Sequence, residues 1–179
     1  MKTETERLIL REMGEEDFEA LYGIFSDEAT MAHYPSAFDE KKVHEWISWN
    51  KENYAVFGFG LWAVVLKECG RVIGDCGVTM QFINGRIKPE IGYHINKDYW
   101  NRGLASEAAR AVRDYIFVNT PFNALYSYMK YTNKASSRVA QKCGMTLCDV
   151  YEDKTDIFTE VYSISREKWE RLREGQSKE

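Results

Sequence analysis

The stretch YWNRGLASE, Tyr99–Glu107, decides how this sequence folds, because it joins an apolar strand to a long helix. The strand is predicted over Pro89–Asn96, and apolar residues recur at helical spacing over Leu104–Val118. A turn that contains Gly103 and enters a helix directs several backbone N–H groups at one point, where the helix dipole adds positive potential. The stretch therefore predicts an anion site, with a purely structural turn as the alternative.

The residues around the turn narrow the kind of anion. The GxxxxGK[ST] pattern of a nucleoside triphosphate loop is absent, which favours a diphosphate bound without magnesium. Gly103 carries no side chain that could block a phosphate, and small Ala105 and Ser106 keep the first helical turn open.

Outward from this stretch, the spacing of apolar residues predicts a sheet with helices packed on it. The centre is an antiparallel meander, with turns at Cys69-Gly70 and Asn84-Gly85. The predicted order is a strand (about 7–11), two helices (14–25 and 39–54), three strands (60–68, 71–82 and 89–96), a helix (104–118), a strand (124–131), a helix (136–142) and two strands within 145–165.

The composition excludes several classes of protein. The chain has 179 residues, of which 44% are hydrophobic, so it can bury one core and is not disordered. A net charge of -4 argues against nucleic acid as a partner. The sequence has neither an apolar run long enough to span a membrane nor a start that resembles a signal peptide. Its four cysteines lack the spacing of a zinc site. We therefore expect a cytoplasmic chain with reduced thiols. We predict one domain over 1–179, with its core at about 5–169 and a charged, frayed tail over 170–179.

Four segments, in the right order, resemble the GNAT superfamily of acyl-CoA-dependent N-acyltransferases. They are TERLILR (5–11), the cofactor motif EIGYHI with YWNRGLASEA (90–95 and 99–108), NKASSRV (133–139) and KCGM (142–145). The first segment resembles the branch of the ribosomal-protein N-terminal acetyltransferases. The resemblance runs from Thr5 to Trp169 and implies an α/β (α+β) fold, with a mixed, mostly antiparallel, splayed sheet of about seven strands and about four helices.

The resemblance implies acetyl-CoA as co-substrate, no metal, and a set of cofactor-binding residues. In this family the sheet splays beside the strand that ends near Asn96, and pantetheine inserts there like another strand. The implied residues are Tyr93, His94 and Ile95 along the pantetheine, with one N–H as an oxyanion donor; Asn101, Arg102, Gly103, Leu104, Ala105 and Ser106 at the pyrophosphate; and Asn133 at the pantetheine. As alternatives, His94 is a half-buried structural histidine and Asn133 a turn residue.

Two residues are candidates for the chemistry. Glu90 lies on the strand that faces the thioester in this family and could accept the amine proton, or it is a strand-end carboxylate paired with Lys88 or Arg86. The tyrosine that protonates the thiolate in many members is replaced by Ala140, which leaves Ser136 as the hydroxyl near the sulfur. The alternative for Ser136 is the N-cap of the following helix.

The family resemblance implies that the acceptor is a primary amine. The resemblance to the branch of the ribosomal-protein N-terminal acetyltransferases favours a protein N-terminal α-amino group. The loop that holds His33 and Tyr34 lies where the family forms its acceptor pocket, so both are candidate substrate-binding residues. Trp46 and Trp49 either extend an aromatic acceptor site or belong to the core. Acetylation of a small amine, such as a polyamine, an aminoglycoside or an amino-acid derivative, and a non-catalytic acyl-CoA-binding module remain alternatives, and a homodimer is compatible with the fold.

Overall fold

The computed structural model describes residues 2–152 and 158–176, in which the helices and strands follow the predicted order. The strands are β1 (Thr3–Glu4), β2 (Leu8–Arg11), β3 (Leu61–Leu66), β4 (Arg71–Ile83), β5 (Arg86–Ile95), β6 (Ala124–Lys130), β7 (Thr146–Glu152) and β8 (Phe158–Ser165). The α-helices are α1 (Phe18–Phe25), α2 (Glu40–Phe57), α3 (Leu104–Asn119), α4 (Lys134–Lys142) and α5 (Arg166–Gln176). Residues 153–157, within the predicted last pair of strands, and 177–179, within the predicted tail, lie outside the described residues.

The eight strands form one open sheet in the order β1-β2-β3-β4-β5-β6-β8-β7. Neighbouring strands are antiparallel except β5 and β6, which run parallel and are joined by a single residue pair, Glu90 with Tyr126. The described parts of β5 and β6 pair with each other at no other residue, so the sheet splays between the ends of these strands, Ile95 and Lys130. The mixed, mostly antiparallel, splayed sheet predicted from the sequence is confirmed.

Two apolar clusters cover the two faces of the sheet. On one face, Ile91 and Ile95 of β5 pack with α3 residues such as Leu104 and Val112. On the other face, the side chains of α1 and α2 pack against the sheet beside Leu61 and Ala63. Because side chains alternate along a strand, Glu90, Gly92 and His94 lie on the α1–α2 face. One strand thus serves both sides of the molecule.

The last helix, α5, extends into the predicted tail and includes residues 170–176. Its Trp169 is only 4% exposed, stacks on Phe117 at a centroid distance of 5.0 Å and donates its indole N–H to Asp114 at 2.7 Å. Trp169, the last residue of the predicted core, thus holds the helix on α3. With β1 and α5, the described residues contain eight strands and five α-helices, where about seven strands and four helices were predicted.

Candidate active site

The turn between β5 and α3 has the backbone geometry of an anion site. Asn101 and Gly103 both lie in the left-handed region, with φ of 59° and 77°. Alternation of left-handed residues with their neighbours forms a concave nest of N–H groups. Trp100, which precedes the nest, donates its indole N–H to the Ile95 carbonyl at 2.6 Å and so fixes the turn to the end of β5.

The N–H groups of this turn are available to a ligand. The first intrahelical hydrogen bond of α3 runs from the Glu107 N–H to the Gly103 carbonyl at 3.0 Å, and Gly103, the N-cap residue, supplies no side-chain cap. Within residues 2–152 and 158–176, no acceptor is found for the backbone N–H groups of residues 101–106. Six successive unpaired donors at a helix N-terminus suit a diphosphate.

Side chains contribute less to this turn than its backbone does. Leu104 and Ser106 are turned into the core, where they are 2% and 5% exposed. A Cβ on Gly103 would lie 3.7 Å from the Arg7 guanidinium, so the position has room for a side chain. Glycine is favoured there by its positive φ.

The opening between β5 and β6 contains a pair of hydroxyl groups. The Tyr93 hydroxyl lies 2.9 Å from both the Oγ and the carbonyl oxygen of Ser136 on α4. Burial raises the pKa of Tyr93, which keeps its phenol protonated at neutral pH. The pair connects one wall of the opening with the other.

The N-cap of α4 is Asn133 and not Ser136. The helix begins at Lys134, and its N-cap is Asn133, whose side-chain oxygen accepts the Ser136 N–H at 3.0 Å. The interpretation of Ser136 as the N-cap is therefore wrong: Ser136 lies in the first helical turn, with its hydroxyl directed at Tyr93. Asn133 does have the local role expected of a turn or cap residue.

Glu90 is a buried carboxylate on the α1–α2 face, 8% exposed, beside the opening. Burial, with a smaller contribution from the charge of Asp75, raises the pKa of Glu90 to about 8. The described part of the chain offers its carboxylate no hydrogen bond or ion pair. Pairing with Lys88 or Arg86 is not found, and the Lys88 ammonium lies over the Tyr126 ring instead.

A chain of polar side chains continues along the same face from His94. The His94 Nδ1 lies 2.7 Å from the fully buried Asp75, which also accepts the Trp46 indole N–H at 2.9 Å. The other ring nitrogen, Nε2, lies 2.5 Å from the hydroxyl of Tyr34. His94 is therefore a buried, fully bonded residue, and Tyr34 ties the loop between α1 and α2 to β5.

The two candidate acceptor residues differ in their surroundings. The Tyr34 side chain is 41% exposed although its hydroxyl reaches His94, so one part of its ring remains accessible. His33 is exposed and makes no hydrogen bond, ion pair or ring contact within the described residues. Trp46 packs against Phe25 and Phe38, which supports its assignment to the core.

Asp75 was not singled out from the sequence, although a signal was present. The Asn84-Gly85 turn begins the pairing at Ile83 with Arg86, so β5 starts three residues before its predicted bound. Counting equal steps back from this turn places Asp75 opposite His94. Residues directly opposite each other in an antiparallel pair have neighbouring side chains, so a register counted from this turn would have predicted the contact.

Comparison with known proteins identifies the family. Residues 7–146 match the model of the acetyltransferase (GNAT) domain. The chain belongs to the GNAT family of acetyltransferases. It is 38% identical to YkkB of Bacillus subtilis (strain 168), with 80% of this chain and 84% of YkkB covered. It is 32% identical to the uncharacterized N-acetyltransferase YnaD of the same organism, with 81% and 82% covered. The protein is an N-acetyltransferase.

Solved GNAT structures have the same fold. An acetyltransferase from Bacillus anthracis superposes with a TM-score of 0.79 at 25% identity and covers 92% of this chain and 98% of its own. The ribosomal L7/L12 α-N-protein acetyltransferase RimL with coenzyme A gives 0.76 at 16%, covering 90% and 95%. The aminoglycoside acetyltransferase AAC(6')-Ib with coenzyme A gives 0.77 at 18%, covering 93% and 99%. At these identities, the last two show a shared fold and do not distinguish the acceptors.

Among the residues that the structure describes, no group of three or more His, Cys, Asp or Glu side chains could hold a metal ion. In the same residues, no helix has both the length and the apolar character needed to cross a membrane.

Proposed function

We propose that this GNAT enzyme transfers the acetyl group of acetyl-CoA to a protein N-terminal α-amino group by direct attack in a ternary complex. The observation that carries the proposal is Glu90, a buried and unpaired carboxylate beside the splayed strands whose pKa is raised to about 8. An α-amino group has a pKa of about 7.7–8.0, whereas a lysine amine has about 10.4. The free-energy change for moving a proton from an α-amino group to Glu90 is therefore close to zero.

The donor side of the proposal rests on the turn and the opening. The N–H groups of residues 101–106 receive the pyrophosphate, and the backbone of Tyr93, His94 and Ile95 lines the pantetheine. Asn133 supports this placement: its oxygen is used by the Ser136 N–H, while its amide nitrogen has no acceptor in the described chain. The thioester supplies an activated acetyl group, and an N–H of β5 polarises its carbonyl.

Glu90 handles the proton released on the acceptor side. As the amine nitrogen bonds to the acetyl carbon, its proton passes to the Glu90 carboxylate directly or through one water. The carbon–sulfur bond then breaks and the thiolate leaves. Because Glu90 lies in a buried place with no competing hydrogen bond, its ionised form is a stronger base than an exposed glutamate.

The hydroxyl pair of Tyr93 and Ser136 faces the leaving group in this proposal. When the Tyr93 hydroxyl donates to Ser136, the Ser136 hydroxyl is free to donate a hydrogen bond to the departing thiolate, which then takes its proton from solvent. Thiols have a reference pKa of about 8.5, so the thiolate needs only modest help. Ser136 thus takes over the role of the tyrosine that buried Ala140 replaces.

The acceptor enters over the α1–α2 face. Tyr34, anchored on His94, presents the accessible part of its ring at this face, and exposed His33 lies next to it on the loop. Both are proposed to contact the peptide that carries the amine. The four cysteines form no disulfide, which agrees with the proposed cytoplasmic location.

A thermal shift and an amine panel test the proposal. Saturation with CoA at a hundred times its Kd should stabilise the fold by about 2.7 kcal/mol. The panel contains peptides with a free N-terminus, the same peptides blocked at the N-terminus but carrying lysine, a polyamine and an aminoglycoside. We expect thiol release and, by mass spectrometry, acetylation of the free N-termini. Acetylation of the small amines alone would overturn the acceptor assignment, and CoA binding without release on any amine would make the protein a binding module.

A further inference from the structure

Arg7 connects the N-terminal segment with the turn that begins α3. Its guanidinium Nε and Nη2 lie 2.7 and 2.5 Å from Glu107 Oε2, and its backbone N–H donates to Glu107 Oε1 at 3.0 Å. Its remaining arm, Nη1, donates to the carbonyl oxygen of Arg102 at 3.0 Å. Arg7 thus bonds one side chain and one carbonyl, both close to Gly103.

Glu107 is held firmly in this arrangement. Besides Arg7, the Thr5 hydroxyl donates to its carboxylate at 2.5 Å, and the Glu107 side chain is 13% exposed. These hydrogen bonds lower the pKa of Glu107 against the opposing effect of its burial. Because the ion pair neutralises Arg7, the guanidinium acts on the turn by orienting it rather than by attracting an anion directly.

The bond to the Arg102 carbonyl fixes the direction of an N–H group. The chain has no cis peptide among its described residues, and in a trans peptide the C=O and the N–H point in opposite directions. Since the Arg102 carbonyl points at Arg7, the Gly103 N–H of the same peptide points away from it, to the open side of the turn. The next carbonyl, that of Gly103, is held by the Glu107 N–H, so the Leu104 N–H also points outward.

We infer that Arg7 is a positioning residue for the diphosphate of the donor, which it affects through the Gly103 N–H without touching the ligand. This inference rests on the proposed use of acetyl-CoA. Arginine suits the role because its planar fork bonds a carboxylate and a carbonyl at once, which a lysine ammonium on a flexible stem does not reproduce. The N-terminal segment and the turn therefore form one unit of the donor site.

The inference is tested by comparing CoA with pantetheine, which lacks the diphosphate, in binding calorimetry. In wild type, CoA should bind more tightly than pantetheine. In Arg7→Gln, we expect CoA affinity to fall about tenfold, the effect of losing about one well-placed hydrogen bond to a charged group, while pantetheine affinity stays within twofold. Arg7→Lys keeps the charge opposite Glu107 and should restore folding but only part of the CoA affinity.

Lys67→Ala is the matched control. Lys67 donates to the Thr5 carbonyl at 2.6 Å and pairs with Glu4, so it holds the same segment without contacting the turn. This variant should leave the ratio of the two affinities at the wild-type value, whatever it does to the melting temperature. If the ratio of CoA affinity to pantetheine affinity is the same in Arg7→Gln and Arg7→Lys as in wild type, whether or not both affinities fall, the inference is wrong. A wild type that does not prefer CoA to pantetheine would instead contradict the proposed donor site.

Discussion

The two sides of β5 are built in different ways. On the donor side, the turn after Ile95 offers six backbone N–H groups, and side chains such as Arg7 and Glu107 only hold that backbone in shape. On the proposed acceptor side, the candidate groups are side chains, Glu90 on a sheet face and Tyr34 on a loop. A backbone site keeps its chemistry when side chains change, and substitutions affect it only through the side chains that fix its conformation. A side-chain site changes its chemistry with each substitution, so the acceptor specificity of this enzyme should reside there.

The largest expected effect is on the acceptor side, in Glu90→Gln. The variant keeps the size of the side chain and removes the base, so kcat/KM should fall by ~10² to 10⁴, while the Kd for CoA stays within twofold. Steady-state kinetics with a peptide amine, together with calorimetry, provides both numbers. A loss of CoA affinity equal to the loss of rate would show that the two sides of β5 are not independent.

The same substitution should change stability in a direction set by pH. The pKa of Glu90 is raised from 4.5 to about 8 on folding, so the unfolded chain loses this proton first as pH rises, and the folded state loses stability between about pH 4.5 and 8. Glutamine stays neutral in both states and avoids this loss. At 1.36 kcal/mol per pKa unit, Glu90→Gln should be more stable than wild type by at most about 5 kcal/mol at pH 9, and nearly equal to it at pH 4.

Urea unfolding of both proteins at pH 4, 7 and 9 measures this difference. Glu160→Gln is a suitable control, because Glu160 lies on β8 and bonds Lys134 and Tyr162 away from Glu90. Equal stability of Glu90→Gln and wild type at pH 9 would mean that Glu90 ionises there as an ordinary carboxylate, and the proposed match to an α-amino group would fail.

A smaller effect is expected at the hydroxyl pair on the donor side. Ser136→Ala should lower kcat by ~10-fold, since a thiolate is a tolerable leaving group without a proton donor. It should cost little stability, because Asn133 caps α4 through the Ser136 backbone N–H, which alanine retains. Ser136→Asp lies in the first helical turn, where the dipole favours an acid, so it should be stable and bind CoA, yet turn over slowly because its charge repels the thiolate.

Tyr93→Phe separates the two hydroxyls. If Tyr93 acts only through Ser136, the double variant Tyr93→Phe with Ser136→Ala should be no slower than Ser136→Ala alone, and single-turnover kinetics would show this coupling. Ser136→Asp at the wild-type rate would remove Ser136 from the mechanism.

The backbone conformation at the proposed donor side could be predicted from the sequence, and the side-chain contacts at the proposed acceptor side only in part, because the first is local and the second is not. Gly103 and the helix after it form a local signal, because a left-handed residue and an uncapped helix start are set within a few residues. The bonds of Glu90 and His94 depend on residues far away in sequence. Asp75 was within reach through the hairpin register, but the contact of Tyr34 with His94 spans 60 residues and depends on how a loop settles on the sheet. Likewise, the alternative that placed the N-cap at Ser136 rested on local preference, and the cap is Asn133.

The smallest expected effect concerns Tyr34, and it tests whether the loop belongs to the acceptor site alone. Tyr34→Phe keeps the ring and removes the hydroxyl that bonds His94, at a cost of about 0.5–1.5 kcal/mol. The loop retains a second attachment, the ion pair of Asp27 with Lys97, and so should loosen without unfolding. We therefore expect the KM for the acceptor to rise about 3- to 5-fold, with kcat and the KM for acetyl-CoA unchanged.

Tyr22→Phe, on α1, removes a hydroxyl that has no hydrogen bond in the described chain and should change neither KM. A Tyr34→Phe enzyme with a raised KM for acetyl-CoA would show that the loop also shapes the donor side, whereas a kcat lowered a hundredfold would place the Tyr34 hydroxyl in the proton path from the amine.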